Sequence, residues 1–198
     1  MPRLSDRETR RRQLIGLFGS NPRPHFVFPR MQASATLSYE PLDDLNEGAV
    51  YDMFHDDPSP FVQADFKDRH ALSEYVDALM YYHRYSPKRG GQDWLLRHRE
   101  AGCYVGLIHL YDLSRETFAD AHRKCTIGFA LRADYRGRGL GAESAQHLLD
   151  YIRAHFDMIV VRSYTDHRNI PAQRLLESLG FAAVRGYDAR YSFYEKTL

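Results

Sequence analysis

The sequence predicts a single mixed α/β domain, and three observations lead to that prediction. The chain has 198 residues, a length that suits one domain with or without a short extension. Hydrophobic residues make up 43% and charged residues 27%, so a sizeable core can form. Helical and strand patterns follow one another in the order β-α-α-β-β-β-α-β-α-β-β, which is typical of the α/β class.

The charge balance and the two cysteines narrow the class of protein. Lysine and arginine number 27 and acidic residues 26, so the net charge of +1 argues against a nucleic-acid or membrane-surface binder. Cys103 and Cys125 are too few for a disulfide framework, and no Cys/His cluster indicates a metal site. There is no run of about 18 apolar residues, and charges crowd residues 3–12, where a signal peptide would be apolar. We expect a cytoplasmic protein with free thiols and no metal.

Residues 1–34 differ in composition from the rest and are interpreted as an N-terminal extension. The extension is expected to be a helix followed by a Pro-rich linker, and the domain is expected at 35–198. Ser5 is expected to cap the helix, whose apolar end lies at residues 14–18. For the arginines at 10–12, a solvated helix face is favoured over contact with an acidic partner. The sequence leaves open whether the extension packs on the domain, mediates a homodimer or stays loose.

From residue 35 onward the apolar periodicity predicts regular elements in sequence order. The predicted strands are 35–41, 92–98, 103–113, 123–131, 158–165, 181–184 and 189–196. The predicted helices are 42–55, 70–85, one that follows the glycine loop at 136–141, and one that begins at Pro171 and is capped by Gly180. A loop is predicted at 114–121.

The glycine loop Arg136-Gly137-Arg138-Gly139-Leu140-Gly141 lies between a strand and a helix. The first turn of a helix offers unpaired N–H groups and the positive end of its dipole, which together bind phosphate. Glycine lets the backbone approach the ligand closely, and arginine adds charge that can bind phosphate in a bidentate manner. A flexible Gly-rich turn is the alternative, but the arginines and the strand–helix context favour a phosphate site.

The spacing of the glycines excludes two common nucleotide sites. The loop has the form G-x-G-x-G, whereas a dinucleotide fold requires G-x-G-x-x-G near the first strand. The Lys-Ser/Thr pair of a P-loop is also absent. A nucleotide-binding protein of another fold therefore has little support.

Two segments resemble the GNAT N-acetyltransferase family. The run Ile127-Gly128-Phe129-Ala130-Leu131-Arg132-Ala133-Asp134-Tyr135-Arg136-Gly137-Arg138-Gly139-Leu140-Gly141-Ala142-Glu143 resembles its acetyl-coenzyme A motif, Arg/Gln-x-x-Gly-x-Gly/Ala. The run Asn169-Ile170-Pro171-Ala172-Gln173-Arg174-Leu175-Leu176-Glu177-Ser178-Leu179-Gly180-Phe181 is similar to its Asn-x-x-Ser/Ala helix ending in Gly-Phe. The resemblance covers residues 103–184 best. It implies a GNAT-type domain with a central mixed, mostly antiparallel sheet flanked by helices, and acetyl-CoA as co-substrate.

The resemblance also implies a branch and a set of roles. Glu143 and the absence of a tyrosine at position 176 favour the RimJ/RimL-like branch, whose members acetylate N-terminal amines of ribosomal proteins and whose relatives acetylate small amines. Backbone amides around the glycine loop would hold the pyrophosphate, and the strand before it would bind the pantetheine arm. The implied CoA-binding residues are Phe129, Leu131, Arg132, Arg136, Gly137, Arg138, Gly139, Leu140, Gly141, Ala142 and Asn169. A plain helix N-cap is the alternative for Asn169.

Catalysis is harder to assign. The reaction needs an amine freed of its proton, a stabilised oxyanion and a proton for the departing thiolate. Family members often provide a tyrosine or a serine for that last step, but Leu176 and Ala172 occupy those positions here. Tyr164 and Asn169 are the catalytic candidates. Weaker candidates are His109 and Tyr111, for which strand packing is the alternative, while Thr126 occupies a position where some relatives carry a glutamate.

The acceptor amine is expected between the first two helices and the strands opposite the CoA. Asp56, Asp57 and Asp65 are candidates to attract a cationic amine, although charged loop residues are usually only solvated. Tyr81, Tyr82 and Tyr85 either line a pocket or pack a helix. Two functions remain open: an N-acetyltransferase acting on a primary amine of a small molecule or a protein N-terminus, and a catalytically weak acyl-CoA-binding module.

Overall fold

The computed structural model describes residues 5–19, 23–86, 90–113, 123–184 and 188–198, and the loop predicted at 114–121 lies outside them. Within these residues the α-helices are α1 Asp6–Gly16, α2 Gly48–Phe54, α3 Arg69–Asp77, α4 Leu140–His155 and α5 Ile170–Ser178. The strands are β1 Leu37–Pro41, β2 Gly90–His98, β3 Tyr104–Leu113, β4 Lys124–Leu131, β5 Val160–Asp166, β6 Ala182–Val184 and β7 Tyr191–Thr197. Short 3₁₀ segments lie at Ala64–Lys67 and Ala133–Tyr135, and α3 continues as a π-helical turn over Ala78–His83. The predicted order of elements is confirmed.

The strands form one seven-stranded sheet in the order β1-β2-β3-β4-β5-β7-β6. Neighbouring strands are antiparallel except for β4 and β5, which are parallel. The mixed, mostly antiparallel sheet implied by the resemblance is therefore confirmed. Helix α4 makes the crossover between the two parallel strands, as parallel pairing requires.

The two faces of the sheet cover two separate cores. In β2 and β3 the alternation of side chains sends Trp94 and Ile108 to one face and Leu95 and Leu107 to the other. The first face packs against α4 and α5 in the larger core. The second face packs against α2, α3 and the 3₁₀ segment at Ala64–Lys67 in the smaller core.

Strands β4 and β5 separate after a short pairing. They pair only from Lys124 to Thr126 on β4, although β4 continues to Leu131 in full register with β3. Within the part of the chain that the structure describes, no strand pairs with the β5-facing edge of β4 over residues 127–131. This gap opens toward the glycine loop and places unpaired backbone on its wall.

Helix α2 is shorter than the helix predicted at 42–55. The side chain of Asp43 accepts the N–H of Leu45 at 2.8 Å and of Asn46 at 3.2 Å, while Asn46 Nδ2 donates to the Pro41 carbonyl at 2.9 Å. These bonds stabilise a turn that competes with helical hydrogen bonding, so the helix begins only at Gly48.

The helix predicted after Ser5 is confirmed, since the Ser5 hydroxyl accepts the N–H of Glu8 at 3.2 Å. The solvated interpretation of the arginine run is wrong for Arg10 and Arg11. Together with Arg7 they contact the buried carboxylate of Asp77, at 3.0 Å from Arg7 and 3.2 Å from Arg11. A carboxylate removed from water requires such partners, so the arginines fix α1 on the end of α3.

Residues 23–36 pack along the domain rather than standing apart from it. Phe26 and Met31 are buried in the larger core. The Tyr151 hydroxyl donates to the Pro29 carbonyl at 2.8 Å, and the hydroxyl of Ser34 donates to Glu143 at 2.6 Å. Partial burial acts to raise the pKa of Glu143, but hydrogen bonds from Ser34 and the Thr36 backbone outweigh it, so the pKa is lowered. The segment thereby braces the first turn of α4, where the glycine loop ends.

Candidate active site

The glycine loop has the backbone that an anion site requires. Gly137 and Gly139 have φ of 72° and 83°, a left-handed conformation that side chains resist. Gly139 is the N-cap of α4 and provides no side-chain cap, so the first N–H groups of a 16-residue helix stay available. A side chain at Gly141 would lie 3.1 Å from Leu175 of α5, which explains the third glycine. The loop is therefore formed as the sequence predicts.

The arginines near this loop have partners within the protein. Arg136 bonds to the buried carboxylate of Asp57 and donates to the Leu131 carbonyl at 2.9 Å. The guanidinium groups of Arg132 and Arg138 each lie 5.0 Å from the centre of the Tyr135 ring, and Arg132 also pairs with Asp134. Arg136 joins the glycine loop to the loop after α2, so its positive charge is shared with Asp57.

A cleft of about 500 Å³ runs from the glycine loop along the open edge of β4 toward α5. Its lining residues are Ser59, Phe61, Val62, Phe129, Ala130, Leu131, Arg136, Gly137, Gly139, Gly141, Ala142, Asn169, Pro171, Ala172 and Leu175. We call it the donor cleft. It brings together seven of the predicted CoA-binding positions on β4 and the loop, and also Asn169. Leu140 is buried in the larger core, and the side chains of Arg132 and Arg138 lie against Tyr135.

Asn169 is both a cap and part of the cleft wall. Its side-chain oxygen accepts the N–H of Ala172 at 3.3 Å, which is the N-cap geometry of α5. The buried carboxylate of Asp166 sets the preceding turn, because it binds the backbone N–H of Arg168 at 2.9 Å and its guanidinium at 2.7 Å. Arg168 and the Arg168 backbone lower the pKa of Asp166, and Arg190 adds to the effect.

A second cavity of about 510 Å³ adjoins the donor cleft and is lined by both β4 and β5. We call it the acceptor cavity. It is lined by side chains from residues 60–66 and from β3, β4, β5, α5 and β7. It shares Phe61, Val62, Phe129, Ala130, Asn169 and Ala172 with the donor cleft. The two therefore meet at the centre of β4 and the start of α5.

His109 lies on the wall of the acceptor cavity in a buried hydrogen-bonded cluster. Its Nδ1 is 2.8 Å from a carboxylate oxygen of Asp93, and the Tyr75 hydroxyl donates to the same oxygen at 2.5 Å. The ring stacks on Phe66 with 5.8 Å between centroids and 13° between planes. Asp93 and Tyr75 were not predicted as site residues. Asp93 could have been noticed in the sequence, because an acidic residue in a strand beside Trp94, Leu95 and Leu96 indicates a buried carboxylate.

Tyr111 and Tyr164 lie side by side on the same wall. Burial, followed by a hydrogen bond with Tyr164, raises the pKa of Tyr111 well above its ordinary value. Tyr164 remains half-exposed at 47%, and its ring contacts Tyr191 and Phe193. The Tyr111 hydroxyl is thus protonated at neutral pH, and both tyrosines line the acceptor cavity.

The two positions that lack the usual acids also lie on these walls. Leu176 is fully buried and lines the acceptor cavity, and Ala172 lines both cavities. Neither side chain can donate a proton. A group that protonates the thiolate would have to come from elsewhere on the wall, where Tyr164 stays a predicted candidate.

The aspartates and tyrosines predicted to surround the amine lie in different environments. Asp65 is exposed on the acceptor cavity wall, while Asp57 is bonded to Arg136 and Asp56 to His55 at 2.9 Å. The tyrosines at 81, 82 and 85 do not line either cavity. Phe18 of the extension packs on Tyr82 and Tyr85, so helix packing, the alternative reading, explains them.

Comparison with known proteins decides the family. A sequence profile described as the acetyltransferase (GNAT) domain matches residues 39–182. The chain belongs to the GNAT acetyltransferase family. It is accordingly an N-acetyltransferase of the family that uses acetyl-CoA as donor. Comparison with curated proteins finds no match.

Solved structures share the fold at low sequence identity. RimL, a ribosomal L7/L12 alpha-N-protein acetyltransferase in complex with coenzyme A, is 12% identical with a TM-score of 0.66, over 85% of this chain and 97% of that one. A ribosomal-protein-S5-alanine acetyltransferase from Vibrio fischeri is 13% identical with a TM-score of 0.64, over 87% and 95%. A dodecameric spermidine N-acetyltransferase from Vibrio cholerae is 12% identical with a TM-score of 0.61, over 83% and 95%. At these identities the likeness establishes the fold, and the RimJ/RimL-like branch stays a prediction.

Two further observations concern the described residues alone. They contain no group of three or more His, Cys, Asp or Glu side chains arranged to hold a metal ion. None of their helices combines the length and the apolar character needed to cross a membrane.

Proposed function

We propose that this GNAT N-acetyltransferase transfers the acetyl group of acetyl-CoA to a primary amine, carried by a small molecule or by a protein N-terminus. The observation that carries the proposal is the junction of the donor cleft with the acceptor cavity at Phe129, Ala130, Asn169 and Ala172. A thioester laid along β4 with its pyrophosphate at the glycine loop would bring its carbonyl to this junction. An amine in the acceptor cavity would then reach the carbonyl carbon.

The donor side of the proposal rests on local chemistry. The uncapped first turn of α4 and the left-handed glycines suit a pyrophosphate. The open β4 edge suits the amide groups of a pantetheine arm, which would add to the sheet like a strand. The residues that would hold the donor are those predicted on β4, in the loop and at Asn169.

The acceptor side rests on the polar wall of the second cavity. Asp65 offers a carboxylate without an ion-pair partner among the described residues, and Tyr164 and Tyr191 add aromatic surface that also attracts cations. The named substrates of the structural neighbours, a ribosomal-protein alanine and spermidine, are likewise amines. We propose that the acceptor is an ammonium compound that enters past residues 60–66.

The test is an acetyl-transfer assay beside a binding assay. Free thiol released from acetyl-CoA is followed with spermidine, with simple alkylamines and with peptides that carry a free N-terminal alanine, while calorimetry measures CoA affinity. We expect CoA binding and amine-dependent thiol release with at least one class. Absence of CoA binding would contradict the proposal as a whole.

A catalytically weak acyl-CoA-binding module is the second candidate. The observation that favours it is that Ala172 and Leu176 are apolar. Many family members have at these positions a serine or tyrosine that protonates the thiolate. CoA binding without thiol release on any amine of the panel would select this function instead.

A further inference from the structure

Asp93 and His109 form a dyad that is built into the sheet. They are direct cross-strand partners on β2 and β3, so their side chains leave the same face. His109 Nδ1 lies 2.8 Å from Asp93 Oδ2, and the side chains are only 5% and 2% exposed. A carboxylate buried to this degree needs donors, and the dyad provides one of them.

The partners of Asp93 fix which nitrogen of His109 carries the proton. The Tyr75 hydroxyl donates to Asp93 Oδ2 at 2.5 Å. Burial and the charge of Asp93 raise the pKa of Tyr75, so it stays a neutral donor. Oδ2 of Asp93 thus acts as an acceptor, so Nδ1 of His109 donates to it. The neutral imidazole therefore keeps its lone pair on Nε2.

Because Nδ1 of His109 points to Asp93, the Nε2 edge is the part of the ring left to face the acceptor cavity. His109 lines that cavity, and its Nε2 has no hydrogen-bond partner among the described residues. Its cross-strand neighbour on β4 is Gly128, where a side chain would come within 3.2 Å of the Cδ2 atom next to Nε2. Phe66 covers one flat side of the ring. Gly128 precedes Phe129, so the free edge lies beside the junction of the two cavities.

We infer that Nε2 of His109 is the general base that takes the proton of the acceptor ammonium, with Asp93 and Tyr75 as positioning residues. The inference rests on the proposed function. The ammonium N–H bond breaks and the proton moves to Nε2, which leaves a neutral amine. The amine nitrogen bonds to the thioester carbonyl carbon, and the C–S bond then breaks. Of the two protons left on the nitrogen, one stays in the amide and the other replaces the proton that Tyr164 gives to the thiolate. The imidazolium returns its proton to solvent, so one proton is released per amide formed.

Other titratable groups surround the cavity and must be considered. Asp93 from β2 and Tyr75 from α3 bind the Nδ1 side of the ring, while Asp65, Tyr111 and Tyr164 lie on the cavity wall. Burial and Tyr164 raise the pKa of Tyr111, so it does not act as a base at neutral pH. Asp65 is exposed and suits ion pairing with the ammonium rather than removal of its proton.

The decisive variant is His109→Gln, whose amide keeps a neutral hydrogen-bonding group at this position but has no basic nitrogen. With an alkylamine acceptor we expect kcat/KM to fall about 100-fold or more, the range that general base catalysis contributes. CoA affinity and the thermal unfolding temperature should stay near the wild-type values. With an acceptor that is already neutral at the assay pH, such as an aniline, the loss should shrink to less than about tenfold. A His109→Gln enzyme that keeps kcat/KM within about threefold for alkylamines would overturn the inference.

Matched variants separate a base from a structural histidine. His70→Gln removes an exposed imidazole of α3 and should leave kcat/KM unchanged. Asp93→Asn should lower kcat/KM about tenfold to 100-fold and displace the acidic limb of the pH–rate profile, whereas a merely structural role would leave that limb in place. Tyr75→Phe should act in the same direction by a smaller factor.

A measurement without turnover completes the test. Nitrogen-15 NMR of the wild-type protein should find the neutral His109 ring protonated at Nδ1 and bare at Nε2. The opposite tautomer would overturn the inference even if every variant failed to fold. If wild-type protein transfers acetyl groups and His109→Gln does so equally well, only this inference fails. If wild-type protein binds CoA but acetylates no amine, the proposed function fails instead.

Discussion

The donor cleft and the acceptor cavity are nearly equal in volume but are built in different ways. The cleft, of about 500 Å³, sets backbone features beside largely apolar side chains, namely two left-handed glycines, an uncapped helix turn and an unpaired strand edge. The cavity, of about 510 Å³, is formed by polar and aromatic side chains from separate elements, among them His109, Tyr164 and Asp65. Backbone recognises what every member of a family binds, whereas side chains can change one at a time. On the proposed function, the fold would fix the donor and leave the acceptor to be set residue by residue.

The strongest way to test this comparison is a charge placed at the donor end alone. Ala142→Glu puts a carboxylate in the first turn of α4, where it favours the helix but repels a pyrophosphate. Repulsion of about 2 kcal/mol at short range weakens binding about thirty-fold. Calorimetry should find CoA affinity lowered by that factor, with an unchanged or higher unfolding temperature.

The neutral variant Ala142→Gln is the control for size. It should bind CoA within a few-fold of wild type. Equal losses in both variants would mean that bulk rather than charge is responsible, and that the pyrophosphate lies elsewhere.

On the acceptor side, Tyr164→Phe removes one hydroxyl and keeps the ring contacts with Tyr191 and Phe193. If Tyr164 protonates the thiolate or orders water, kcat should fall about tenfold while the KM for acetyl-CoA is unchanged. Steady-state kinetics with acetyl-CoA varied at saturating amine provides the measurement. Full retention of kcat/KM would remove Tyr164 from the catalytic residues.

A smaller effect is expected from Asp65→Asn. The exposed carboxylate would attract a cationic amine by about 1 kcal/mol, so its loss should raise the KM for the amine about fivefold. The difference between Asp65→Asn and wild type should diminish in 0.5 M salt, because salt screens exposed charges. A salt-independent change would point to altered packing rather than to charge.

The smallest effect on turnover is expected from Asp166→Asn. Its main effect is on how the free energy of unfolding depends on pH. Because Arg168 lowers the pKa of Asp166 in the folded state, the carboxylate stabilises the fold fully above the ordinary aspartate pKa of about 3.9. This stabilisation by Asp166 is lost as the pH falls below the ordinary aspartate pKa and through the lowered pKa of the folded state. Urea unfolding should find wild type more stable than the variant at pH 7 and 5, with the difference shrinking at pH 3. A constant difference across this range would exclude proton linkage.

The sequence predicts best what depends on neighbouring residues. The glycine loop, the cap at Asn169 and the helix after Ser5 each involve contacts within a few residues, so their motifs suffice. The start of α2 was misplaced because the hydrogen bonds of Asp43 and Asn46 cannot be weighed against helix propensity from the pattern alone.

The rest of the site depends on pairs that are distant in the chain. Tyr75, Asp93 and His109 come from α3, β2 and β3 and meet only when these elements pack together, so nothing local links them. Asp57 lies 79 residues from Arg136, and Asp77 lies 70 from Arg7. Asp57 and Asp77 look solvated in the sequence but are buried in the structure, where distant arginines pair with them.

The bond between His147 and the Gln32 carbonyl spans 115 residues, which matters for the order of synthesis. At about 5–20 residues per second, a ribosome would need about 6–23 seconds to extend the chain from one partner to the other. During that interval Phe26 and Met31 cannot pack against α4, although both lie in the larger core of the folded protein. The nascent chain therefore carries an uncovered hydrophobic stretch until α4 emerges, and chaperones that bind such stretches would meet this segment first.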